Sequence, residues 1–370
     1  MNDGFEYDCL IIGGGIAGTV AAKQLVDRGY KVALIDDRVT SQLKLAESLP
    51  ASIEPMLQRL GLFDLINAPP HFKHSGMVSA WGTHILKAAP LVAHHHGWKV
   101  DKRALVRQVK VQLPSACVIS GKVKEVSEQE GGWDCIVRSY VTETDIKVRA
   151  RFLLDACGRQ GYLPRILNLH RHTFDKLSAF VANVVVQSPS KAQPSVVVES
   201  FEDGWTLVSK INDKESMIAI FCNQHTPDFS GLRQAKNWHG IASQTQWFKK
   251  ILPNSAFEVK VLNASSHIVS RLAGKNWLLV GDAAMSFDPL SSHGMTTAIY
   301  MAEKAANAID DLFKGEKQSL NLYSKTMTDI YNSYLNELLG HYRRERRYQA
   351  SKFWQSKQQI SAQETLSVAG

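Results

Sequence analysis

Glycines and acids stand along this chain where a phosphate-bearing ligand could be held. The apolar run Tyr7 to Ile12 leads directly into Gly13-Gly14-Gly15-Ile16-Ala17-Gly18, and a helical stretch ending near Arg28-Gly29 follows. In that order Gly13 permits a tight turn, Gly15 lets the backbone approach a pyrophosphate, and Gly18 lets the helix pack close to the strand. Ile16 and Ala17 open the helix, whose free amides and dipole meet the phosphate charge. A second strand, Lys31 to Ile35, ends in Asp36-Asp37. A carboxylate there can accept both ribose hydroxyls and disfavours a 2′-phosphate. The segment is therefore expected to bind a dinucleotide, and by itself it leaves the choice of dinucleotide open.

Two distant segments narrow that choice. Phe152-Leu153-Leu154-Asp155-Ala156-Cys157-Gly158-Arg159 and Trp277-Leu278-Leu279-Val280-Gly281-Asp282-Ala283-Ala284 are apolar strands running into small-residue turns. The second continues to Asp288-Pro289 and Gly294. They resemble the DATGR and GDA signatures of the FAD-dependent aromatic hydroxylases, the class related to p-hydroxybenzoate hydroxylase. The resemblance implies FAD, with Asp155, Ala156 and Gly158 in a cofactor turn and Asp282 at the ribityl and pyrophosphate region. It lays Pro289, Gly294 and Met295 along the isoalloxazine, where amides opening a helix can stabilise negative charge. In Val100-Asp101-Lys102-Arg103-Ala104-Leu105 the family commonly has arginine where this chain has Lys102, which keeps the charge but not the guanidinium fork.

Ala46-Glu47-Ser48-Leu49-Pro50, Leu60-Gly61-Leu62, Ser79-Ala80-Trp81-Gly82, Gly97-Trp98, Gly204-Trp205 and the run from Asp288 to Met295 resemble a halogenase-related branch of these flavoproteins. So does the tail Tyr342-Arg343-Arg344-Glu345-Arg346-Arg347 with Phe353-Trp354. That branch includes maturases of tryptophylquinone-dependent oxidases, of the glycine oxidase and lysine-ε-oxidase type. The resemblance implies a monooxygenase-type maturase that oxygenates a protein-bound tryptophan of a partner oxidase precursor, using O2 and an electron donor, either NAD(P)H or reduced flavin. The alternatives are a small-molecule aromatic hydroxylase, a halogenase, and a binding chaperone that uses FAD structurally. Phe72-Lys73-His74 loosely resembles the halogenases' lysine segment. In GWTLVSKI, however, Leu207 stands where their motif has its second tryptophan, and the proline is absent.

Candidate catalytic residues are His293, as a proton relay or else a helix cap, Glu47, as a base or else a first-turn helix acid, and Lys73. Ser48, Asp36, Asp37 and Lys102 join the glycines as candidate cofactor contacts. Cys222, after Ile218 to Phe221, reads as core. His94-His95-His96 is not read as a metal site, because consecutive side chains diverge on either regular element.

The elements that must position these residues imply an α/β fold: a Rossmann-like FAD-binding domain, an antiparallel β-sheet substrate domain and a C-terminal helix. The expected boundaries are 1–75, 98–165 and 262–330 for the first, 76–97 and 166–261 for the second, and a helical tail from 331 to 370. Leu322, Met327, Ile330, Tyr331, Tyr334, Leu335 and Leu338 recur at helical spacing and should pack across both domains. The 44% hydrophobic and 21% charged composition is that of a folded enzyme. The net charge of +8 suits an acidic partner or the dinucleotide itself and does not by itself imply nucleic acid. No apolar stretch reaches the roughly 20 residues a bilayer crossing needs, so the chain is expected to be cytoplasmic. Its five cysteines, without CxxC spacing, are expected to be free thiols.

Overall fold

The computed structural model describes residues 5–37, 43–74, 76–88, 97–186 and 193–359. Strand β1 (Tyr7–Ile12) is an apolar run because both its faces are covered. It lies parallel between β2 (Val32–Asp36) and the end of the long strand Asp145–Asp155. Trp277–Leu279 adds another parallel strand beyond it, and β2 pairs with the start of Val118–Gln129. The remaining lengths of Val118–Gln129 and Asp145–Asp155 pair antiparallel with Gly132–Ser139, and Ala273–Gly274, antiparallel to Trp277–Leu279, completes a seven-stranded sheet. Helix α1 (Ile16–Val26) packs on the helices Gly294–Phe313 and Lys102–Val111.

A second seven-stranded sheet runs in the order Lys260–Asn263, Ser178–Val185, Glu215–Cys222, Gly204–Lys210, Val196–Phe201, Met77–Ala80, Lys87–Ala88. It is antiparallel except where Val196–Glu199 runs parallel to Met77–Ala80. One face, including Val198, Trp205, Met217 and Phe221, joins the core of the first sheet. The other, including Phe180, Ile218 and Ile220, is covered by Leu232, Trp238 and Phe248. Burial on both faces explains why these strands read as apolar runs without strict alternation.

The tail is not a separate unit beginning at 331. One helix of 26 residues, Ser319–Arg344, passes through that position, and the short helix Lys352–Gln358 follows it. Met327, Tyr331, Tyr334, Leu335 and Leu338 are buried as their spacing predicts, but Leu322 is 66% exposed. The buried stripe instead takes in Leu320, Tyr323, Leu339 and Tyr342. Four cysteines are buried, Cys157 is half-buried, and all five are free thiols. Among the described residues, no helix is long and apolar enough to cross a membrane.

Candidate functional site

The glycine loop is shaped by its neighbours. Gly13 has φ +112°, and a Cβ there would lie 2.4 Å from the carbonyl oxygen of Ala156. At Gly18 a Cβ would fall 2.0 Å from the Gly13 oxygen. Both positions exclude any side chain for reasons of fold. Gly15 differs: a Cβ would meet nothing within 4 Å, so the space above it is free for a ligand. Gly15 caps α1 without a side-chain hydrogen bond, Ile16 and Ala17 are buried in the first turn, and the amides at this end face that space. The same pattern recurs at the 20-residue helix Gly294–Phe313. It opens on His293 without a side-chain cap, Gly294 faces open space, and Met295 is buried. His293 is therefore exposed and is not the cap considered as its alternative role.

Asp36 lies over the loop, its carboxylate 2.5 Å from the Lys110 ammonium and close enough to Gly14 that a side chain there would displace it. Asp37 accepts a hydrogen bond from the Tyr140 hydroxyl. Asp155 is fully buried, and its oxygens are taken by the amides of Cys157 (2.9 Å), Tyr162 (2.5 Å) and Leu163 (2.7 Å). It holds the turn containing Ala156 and Gly158, so any influence on a cofactor passes through that turn. Gly158, at φ +65°, faces open space.

Four charged side chains converge beside these turns. Asp282 lies 3.5 Å from Arg159, and Glu47 lies 3.7 Å from Lys102. Desolvation pushes the Asp282 carboxyl upward, as does Glu47, while Arg159 and Lys102 pull it down. Glu47 is on the strand Ala46–Leu49, paired antiparallel with Trp98–Asp101, not in the first turn of a helix. Ser48, on the opposite side of that strand, accepts a hydrogen bond from Lys99 at 2.8 Å. Pro289 begins a short turn capped by Asp288, whose carboxylate accepts from the Leu290 amide.

Lys73 is exposed, with its ammonium 3.9 Å from the centre of the Trp98 ring, a cation–π contact on the outer side of its strand. Cys222 is fully buried in the core beneath the second sheet, and burial pushes its thiol up to about 12, which leaves it unreactive. No group of metal-ligating side chains occurs among the described residues, and His94, His95 and His96 lie outside them.

The tail contributes a network that sequence reading missed. Trp205 donates to the Tyr342 hydroxyl (3.2 Å), which donates to Asp288 (2.7 Å). The Lys357 ammonium lies 2.5 Å from Asp175 and 3.1 Å from Asp288. Trp81 packs edge-on against Trp205, Tyr342 and Trp354. Of the basic run, Arg347 turns inward to Glu345 and Ser200, while Arg343, Arg344 and Arg346 remain exposed. The tail thus clamps the loop before His293 to the second sheet.

These features fit FAD. The two uncapped helix ends, the open space at Gly15, Gly158 and Gly294, and the acid at Asp36 are what a pyrophosphate, a ribose and a reducible ring require.

Residues 6–337 match the model of the FAD binding domain family. The chain belongs to that family and is an FAD-dependent oxidoreductase. It is 25% identical to the putative FAD-dependent oxidoreductase LodB of Marinomonas mediterranea, over 96% of this chain and 98% of that protein. Its fold is that of CmlS, a flavin-dependent halogenase (TM-score 0.82, 23% identity, 98% of this chain and 69% of the other). It is also that of QhpG, described as a peptidyl tryptophan dihydroxylase essential for tryptophylquinone cofactor biogenesis (TM-score 0.78, 20% identity, 95% and 79%).

Proposed function

We propose that this flavoenzyme is a maturase: it inserts oxygen into a tryptophan side chain of a partner oxidase precursor during tryptophylquinone formation. Bound and reduced, FAD would supply the two electrons with which dioxygen gives one oxygen atom to an electron-rich ring while the other, with two protons, leaves as water. The chain's own residues bind and orient. The α1 amides and Asp36 would hold the dinucleotide end, and Arg159, Asp282, Lys102 and Glu47 the region between pyrophosphate and ring. The turn Pro289–Gly294 would lie beside the ring, with the exposed His293 at its edge.

The observation that carries the reading is the face of the second sheet beside Trp205. Leu207 stands there half-buried in place of a second tryptophan, and the exposed Lys73 lies against the Trp98 ring. Leucine is smaller than the tryptophan it replaces, which suits the approach of an indole. The end-to-end match to LodB and the likeness to a peptidyl tryptophan dihydroxylase point the same way. Halogenation is the second reading, favoured by the likeness to CmlS and by a different buried lysine, Lys99, within the junction.

Co-expression with candidate quinone-oxidase precursors, followed by mass analysis of their tryptophan-bearing peptides, tests the proposal. Oxygen should be gained with the native chain and not with Gly15→Val, whose side chain meets nothing in the fold but should fill the space for the pyrophosphate. If a free aromatic compound turns over while no peptide gains oxygen, the maturase reading fails.

A further inference from the structure

Lys99 is 2% exposed, yet its ammonium meets only neutral acceptors: the Ala46 carbonyl at 2.9 Å, the Ser48 hydroxyl at 2.8 Å and the Ser209 hydroxyl at 2.7 Å. Ser209 closes the triangle by donating to the Ala46 carbonyl at 3.1 Å. Two of these acceptors lie on the strand Ala46–Leu49 beside the cofactor turns. The third lies on Gly204–Lys210, the strand of the second sheet that carries Trp205 and Leu207. A buried cation without a carboxylate partner is costly, so its placement across a seam between two layers calls for a reason other than packing.

We infer that Lys99 is a positioning residue, an ammonium latch between the cofactor layer and the substrate sheet that fixes Glu47 on one side and the Trp205–Leu207 face on the other. The inference rests on FAD binding and holds whichever aromatic substrate is used. The surrounding charges leave the latch free to titrate. Glu47, on the opposite side of its strand, is the carboxylate whose field reaches Lys99, and it is shared with Lys102. On the neighbouring strand Lys73 turns to Trp98, and on the substrate sheet Lys210 pairs with Asp213 at 2.9 Å. Burial pushes Lys99 down to about 7, with Glu47 opposing.

The test measures FAD affinity of the full chain by quenching of flavin fluorescence from about pH 6 to about pH 9, alongside the Tm of the FAD-free protein. Native protein should bind FAD more weakly as pH rises through the Lys99 transition, by up to about tenfold per pH unit. Lys99→Met should bind weakly at every pH, and Ser209→Ala, which removes one acceptor, should move the inflection to lower pH. If Lys99→Met keeps the native pH dependence, or if Ser209→Ala leaves the inflection where it was, the latch is overturned. Should Lys99→Met fail to fold, the Ser209→Ala shift decides by itself. Peptide oxygenation is not part of this readout, so failure of the latch is distinguishable from failure of the maturase reading.

Discussion

Two lysines are buried in this molecule almost equally, at 2% and 1% exposure, and their surroundings make them opposites. Lys99 is held by a carbonyl and two hydroxyls, and burial drives its proton affinity down. Lys357 is subject to the same desolvation, but Asp175 and Asp288 outweigh it and hold the ammonium above its ordinary value. The same side chain is therefore a titratable joint in one seam and a permanent rivet in the other. The rivet fastens the C-terminal helix to the loop preceding Gly294, and the joint fastens the strand carrying Glu47 to the second sheet. Burial alone does not fix a charge's role; the charge of its partners does.

The largest effect should come from the rivet. Lys357→Met leaves Asp288 and Asp175 buried without a counter-charge, and should cost about 3–5 kcal/mol in denaturant unfolding. Lys99→Met should cost little or nothing near neutral pH, because it removes a charge buried without a counter-ion. The pH dependence separates the two further. Between about 7 and the ordinary lysine value of 10.5 the unfolded chain binds more protons at Lys99 than the folded one. Native stability should therefore gain up to about 1.4 kcal/mol per pH unit across that window from this group, and Lys99→Met should abolish that gain.

Tyr342→Phe removes the hydroxyl shared by Trp205 and Asp288 and should cost about 1–3 kcal/mol. A further effect lies at the acid end. Burial raises Glu345, but Arg347, Ser200 and the amides of Arg347 and Gly82 outweigh it and hold the carboxyl at about 2. Its contribution is present above the ordinary glutamate value and lost as pH falls towards 2. Glu345→Gln should accordingly flatten the acid limb of a Tm–pH profile and leave the alkaline limb unchanged.

The glycine loop was legible because its spacing is a fixed motif: Gly18 is demanded by the Gly13 carbonyl five residues away, and Gly13 by the distant Ala156 carbonyl. The long helix was legible from its spacing, and Leu322 misled because the buried stripe runs through Tyr323, Met327, Tyr331 and Tyr334, one position away from it. Glu47 was open to a helical reading because pairing with Trp98–Asp101, some fifty residues on, makes its segment a strand; local propensity does not carry that information. Lys99 was hidden because Trp98, Lys99 and Val100 are all buried, so no alternation marks the lysine as inward. The rivet was beyond reach: Lys357 meets partners 182 and 69 residues away, and no local pattern joins them.

The account's central claim is oxygen insertion into a peptidyl tryptophan, and isotope labelling tests it most directly. The FAD-loaded enzyme would be reduced under ¹⁸O₂, with chloride and bromide present, beside a tryptophan-bearing segment of a quinone-oxidase precursor, and the peptide weighed. The account predicts a labelled oxygen on the tryptophan and no halogen; halogen on the ring, or label only on free aromatic compounds, would contradict it.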